Sequence, residues 1–145
     1  MITKKVAFLM LVLSLMVMPL TACSQGEQVK SEVKTSSLST ADLISGAPQD
    51  VPIPGMVTMV DIGAHSCVPC KMMLPVIGEL SREYEGRAAI VFIDIWEHKA
   101  EAKKYAITSI PTQIFYDAEG KERYRHVGFF DKESIVAKLT ELGVE

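Results

Sequence analysis

Two cysteines, Cys67 and Cys70, stand three positions apart in the stretch AHSCVPCKMMLP at residues 64–75. Sulfur at that spacing can hold a metal, close a structural staple, or cycle between dithiol and disulfide. Structural zinc wants four ligands, and the chain has no second CxxC and no recognised ligand spacing among His65, His98 and His126. A staple across so short a loop removes little entropy from the unfolded chain compared with a long one. Thiol chemistry is favoured by position, because the pair falls where a strand hands over to a helix. With Cys67 at the helix start, its sulfur lies near unsatisfied amides and the positive end of the helix dipole, and both favour a thiolate. Cys70 follows one turn later, so the two sulfurs can close a small ring and reopen it without moving the fold.

The elements that must position this pair are legible on either side of it. Upstream, MVTMVDI (56–62) is a short apolar, β-branched run bounded by Gly55 and Gly63, which predicts a buried strand. Downstream, Met73, Val76, Ile77, Leu80 and Tyr84 recur at helical spacing and predict an amphipathic helix. Pro75 sits inside it, where the lost donor and the crowded Lys71 carbonyl predict a kink. AAIVFIDI (88–95) predicts a second buried strand and Glu97 to Tyr105 a helix. Thr112 to Tyr116 and Lys121 to Val127 predict a third and fourth strand, joined by the turn DAEG. A last helix begins after Asp131, its expected N-cap, with Ile135, Val136, Leu139 and Leu142 on one face. The order β-α-β-α-β-β-α, a parallel crossover followed by a hairpin, predicts an α/β fold: a central four-stranded mixed sheet flanked by helices.

The third cysteine belongs to another part of the chain. Lys4 and Lys5 precede an almost unbroken apolar run from Val6 to Leu20, and Leu20-Thr21-Ala22 leads up to Cys23. A basic start, an apolar stretch and small residues outline a secretory signal, and the run falls short of the ~18–20 residues that a spanning helix needs. The LTAC at its end resembles the lipobox of bacterial lipoproteins. That resemblance implies cleavage before Cys23 and a diacylglycerol on its sulfur. The odd cysteine then needs no intermolecular partner. Residues 1–22 therefore read as a lipoprotein signal peptide, 23–50 as a flexible tether, and 51–145 as the folded domain. CSQGEQVKSEVKTSSLS (23–39) is polar, Ser-rich and without aromatics, too poor in apolar surface to offset its ordering entropy. At Thr40 to Ser45 one helical turn is expected, capped by Thr40. Without Lys4 and Lys5 the formal charge falls from −3 to −5. Such an acidic domain lacks the basic face of a nucleic-acid binder, so membrane attachment must come from lipid.

Residues Met56 to Leu142 resemble the thioredoxin fold. The matching pieces are VDIGAHSCVPCKMMLP, YAITSIPT (105–112) and VGF (127–129). The resemblance implies that Cys67 is the nucleophile, Cys70 the resolving cysteine, Asp61 the buried acid, Pro111 a cis-proline and Gly128 a groove-lining glycine. A cis bond after Ile110 would offer that residue's backbone to an extended substrate segment. Asp61 shares a strand face with Val57 and Met59, so its carboxyl should be desolvated, with a raised pKa, and able to take a proton from Cys70. The chain also departs from the family. Gly63 and Ser66 stand where tryptophans are common, Val68-Pro69 replaces Gly-Pro, and Ile90 has the apparent position of a lysine that often accompanies the acid. Trp96 either fills the space Gly63 leaves beside the cysteines or packs elsewhere, and His65 reads as an exposed loop residue. The family's first strand and helix are unrecognisable before Met56.

The implied function is a lipid-anchored thiol-disulfide oxidoreductase of the cell envelope, facing the periplasm or extracytoplasmic side. It would reduce protein disulfides without a bound cofactor and be recharged by a membrane thiol carrier. Two alternatives share the fold: an oxidase that donates disulfides, and a Cu(I) metallochaperone using both thiolates. Direction does not transfer with the fold, because thioredoxin and its strongly oxidising periplasmic relative differ by ~150 mV, about 7 kcal/mol for two electrons.

Overall fold

A computed structural model describes residues 39–145. The apolar leader, Cys23 and the polar stretch that follows lie outside the described residues. A short helix α1 (Thr40–Leu43) is followed by β1 (Thr58–Gly63), α2 (Val68–Glu83), β2 (Ala89–Asp94), α3 (Lys99–Lys104), β3 (Thr112–Tyr116), β4 (Glu122–Val127) and α4 (Lys132–Glu141). The sheet order is β2-β1-β3-β4, with β1 parallel to β2, antiparallel to β3, and β3 antiparallel to β4. This is the mixed four-stranded sheet expected from the pattern of elements.

Every residue of β1 and β2 is buried, which is why both read as largely apolar runs. On one face Met59, Ile90, Phe92 and Phe115 meet Met73, Ile77 and Leu80 of α2, and Ile135 and Leu139 of α4. On the other face Val60, Ile62, Val91, Ile93 and Ile114 pack with Tyr105, the C-cap of α3. Asp61 belongs by alternation to the first face, beneath α2. Helix α2 continues through Pro75, which lies on its exposed side.

Two helix starts differ from expectation, each for a local reason. The cap of α1 is Ser39, not Thr40: Ser39 and Asp42 form a reciprocal capping box, and the Thr40 hydroxyl donates to Glu85 at 2.9 Å. Helix α3 begins at Lys99, later than Glu97, because the Trp96 and Glu97 amides are drawn onto the Asp94 carboxylate at 2.9 and 3.2 Å. Residues 39–50 carry α1, the helical turn expected at Thr40 to Ser45, and a single parallel bridge from Gly46 to Ile93. Among the described residues, that bridge is all that stands beside β2 in place of a further strand. Gly46 is required there, since a Cβ on it would come within 2.9 Å of the His65 ring and its φ is +89°. Among the described residues no helix is long and apolar enough to cross a membrane.

Candidate redox site

Cys67 is the N-cap of α2, with extended backbone (φ −79°, ψ 128°), and its amide closes a turn onto the Ala64 carbonyl at 3.1 Å. Pro69 lies in the first turn, where a missing N–H costs no helix hydrogen bond. Cys67 and Cys70 are joined in a disulfide, with Cα atoms 5.2 Å apart. The two sulfurs are not equivalent. Cys67 retains 8% exposure at the helix start, whereas Cys70 is fully buried inside the first turn.

Gly63 allows that burial. A Cβ there would lie 3.3 Å from both Cys70 Cβ and Phe92 Cε2 and 3.4 Å from Cys70 Sγ. The space beside Gly63 is thus filled by Cys70 and Phe92, and Trp96 does not take it; Trp96 is 52% exposed on the loop after β2. Directly across β2 from Asp61 stands Phe92, while Ile90 pairs with Met59, so apolar side chains occupy both positions.

Asp61 is completely buried, and its one hydrogen-bond partner is Gln113, the residue opposite it on β3, whose Nε2 donates to Oδ1 at 2.6 Å. Burial pushes the carboxyl up to about 7, against the smaller lowering effect of that hydrogen bond. Among the described residues, Asp61 Oδ2 and Gln113 Oε1 have no partner. Gly63, two residues further along the same face and against Cys70, places the acid one strand repeat, about 7 Å, below the cysteine pair.

The far side of the site is built from the loop before β3. The Ile110–Pro111 bond is cis, and Ile110 packs against the cluster of Ala64, Cys67 and Cys70. Gly128, with φ +104°, donates its amide to the Pro111 carbonyl at 2.8 Å. The three residues named from sequence as a substrate groove are therefore joined to one another and to the cysteines. All the large apolar side chains that are exposed among the described residues lie at this end of the sheet. Val68 (75% exposed) and Met72 stand at the start of α2, Trp96 after β2, and Val127 and Phe129 at the end of β4.

Sequence reasoning missed two residues. Gln113 is a polar side chain at a buried strand position, and that mismatch between type and place was its only signal. Asp94 ends β2 nearly fully buried and binds the redox loop: Oδ2 accepts from the His65 amide and from His65 Nδ1, both at 2.7 Å, while Oδ1 accepts the Trp96 and Glu97 amides. Burial would push this carboxyl up, but the donors from His65, Trp96 and Glu97 together hold it below the usual range. His65 is the exposed loop residue expected, its side chain 46% exposed on the turn before Cys67, and it is also half of this clamp; its ring meets Phe92 edge-on at 5.0 Å. His65, Asp94 and Glu97 offer ligand atoms within 4.8 Å of one another, but Asp94 already accepts four hydrogen bonds, so the cluster ties two loops together.

A cysteine pair at a strand-to-helix junction, one residue at the helix start with residual exposure and the other fully buried near a protonatable acid, defines a thiol-disulfide oxidoreductase on an α/β scaffold. The thioredoxin family pattern matches residues 50–141, and the chain belongs to the thioredoxin family. It is 38% identical over 96 residues to thioredoxin of Staphylococcus aureus, an alignment covering 66% of this chain and 91% of that one. Among solved structures it is similar to thioredoxin NaTrxh from Nicotiana alata, with a TM-score of 0.54 and 33% identity, over 63% of this chain and 76% of that one. It also shares the fold of the pneumococcal exposed lipoprotein thioredoxin Etrx1 from Streptococcus pneumoniae. There the TM-score is 0.54 at 23% identity, over 60% of this chain and 85% of the other.

Proposed function

We propose that this protein is a membrane-anchored reductant of protein disulfides in the cell envelope, with Cys67 as nucleophile. The observation that carries the assignment is the asymmetry of the pair: Cys67, at the helix N-terminus, keeps a residual 8% exposure, and Cys70 keeps none. The Cys67 thiolate attacks a substrate disulfide, forming a mixed disulfide and releasing one substrate thiolate. Cys70 then gives its proton to ionised Asp61 and attacks Cys67 Sγ, which releases the second substrate thiolate and leaves the Cys67–Cys70 disulfide. The substrate gains two electrons and the protein loses two; a thiol carrier in the membrane returns them. An extended substrate segment pairs with the backbone at Ile110 beside cis-Pro111, while Gly128 keeps the groove open and the exposed apolar rim receives side chains of the substrate.

Equilibration with glutathione redox buffers tests the direction. The reductase reading expects a midpoint potential more reducing than the glutathione couple; a midpoint well above it would assign disulfide donation instead.

The anchor rests on the sequence: the basic start, the apolar run of fifteen residues and the small residues ahead of Cys23. A Cys23→Ser variant should move from the membrane to the soluble fraction while its reductase activity in solution stays unchanged. Membrane association as strong as that of the parent protein would contradict lipidation.

A further inference from the structure

We propose that Gln113 is a positioning residue for the redox reaction, an amide that serves both protonation states of Asp61 and thereby sets the pH at which Cys70 resolves the mixed disulfide. This rests on the assignment of Asp61 as the proton acceptor for Cys70. The geometry begins with a pair without solvent exposure: Asp61 and Gln113 face one another across β1 and β3, both fully buried, and Nε2 donates to Oδ1 at 2.6 Å. Two atoms of this pair lack partners, Asp61 Oδ2 and Gln113 Oε1. Both are acceptors while the acid is ionised, and neither can satisfy the other. A proton arriving on Oδ2 makes it a donor, and Gln113 Oε1 is the unsatisfied acceptor on the side chain already docked to the same carboxyl. Acid and amide are then joined in the cyclic, two-bond manner of a carboxylic acid with a primary amide. The ionised acid keeps the bond from Nε2, and that bond is charge-assisted.

The surroundings leave the amide as the chief polar influence. Phe92 faces Asp61 from β2, Met73 and Ile77 pack on this face from α2, and the titratable groups there are few. Cys70 on α2 is the proton donor of the reaction. His126 on β4 is one strand beyond Gln113, with Nε2 at 3.1 Å from the Phe129 carbonyl and its ring stacked on Phe130 at 4.2 Å. No charged group is among the causes that move the Asp61 carboxyl; burial and Gln113 account for it.

Removing the amide takes a charge-assisted bond from the ionised form and a neutral one from the acid. The ionised form loses more, and the Asp61 midpoint rises. The experiment compares the full chain with Gln113→Leu, and with the unbranched Gln113→Met should the first fail to fold. Asp61 is titrated directly by carboxyl carbon NMR in the reduced protein, and the rate of the Cys70-dependent step is measured against pH. The expected result is a midpoint higher by about one unit in both readouts. An NMR midpoint that stays in place overturns the role of Gln113, whatever happens to activity. An NMR midpoint that rises while the kinetic profile stays fixed overturns Asp61 as the proton acceptor, and with it any influence of the amide on the reaction. A merely structural role would lower stability and move neither midpoint.

Discussion

Replacement of Cys67 by serine should lower protein-disulfide reductase activity by at least about three orders of magnitude, because a serine hydroxyl is not ionised at neutral pH and cannot form the mixed disulfide. Its fold should persist, since Cys67 is a cap without a side-chain hydrogen bond and lies at the edge of the core. Cys70→Ala should fail differently. It leaves Cys67 able to attack but unable to be displaced, so turnover stops while mixed disulfides with substrate accumulate. Mass spectrometry of the trapped adducts reads both outcomes at once: adducts on Cys67 in the Cys70 variant, none in the Cys67 variant. Adducts on Cys70 in the Cys67 variant would reverse the roles.

A second large effect concerns stability, through Asp61. Its carboxyl is raised from 3.8 to about 7 in the folded protein. Between those values the folded state holds a proton that the unfolded state has released, so stability falls as pH rises through this window. At 1.36 kcal/mol per pKa unit, ionisation of this one buried acid costs the fold about 4 kcal/mol by pH 8, relative to pH 4. Asp61→Asn removes the cost and keeps the pair with Gln113, since the new amide can donate where the acid carried its proton. Denaturant melts should therefore show the variant markedly more stable than the parent at pH 8 and nearly equal to it at pH 4. The same change should slow resolution of the mixed disulfide by about 10²-fold or more, because asparagine cannot take the Cys70 proton. A parent protein whose stability is flat from pH 4 to 8 would contradict a desolvated Asp61.

Much of this was legible in the chain because the signals were local. Strands β1 and β2 show as largely apolar runs since both of their faces are covered, and the hairpin of β3 and β4 is marked by DAEG, where the Gly120 amide returns to the Asp117 carbonyl at 3.0 Å. The redox pair and the acid were recognisable from spacing and from an acid in an apolar strand. What stayed hidden depends on cross-strand register. Gln113 is fifty-two residues from Asp61 in the chain and meets it only because β3 pairs antiparallel to β1 in one register. Asp94 reads as an ordinary acid at a strand end; its value as a clamp appears when the loops after β1 and β2 lie side by side. Of the two placings open to Trp96, the one beside Gly63 is excluded for a related reason. The space left by Gly63 is closed by Cys70 and Phe92, and neither neighbour is adjacent to Gly63 in sequence.

The most direct test of the redox site is the rate at which iodoacetamide modifies Cys67 in the reduced protein as pH is varied. A sulfur held at the helix N-terminus should react at neutral pH faster than free cysteine, with a midpoint below the ~8.5 of an unperturbed thiol. A rate no greater than that of free cysteine, with a midpoint at or above that value, would contradict the assignment of Cys67 as the attacking thiolate.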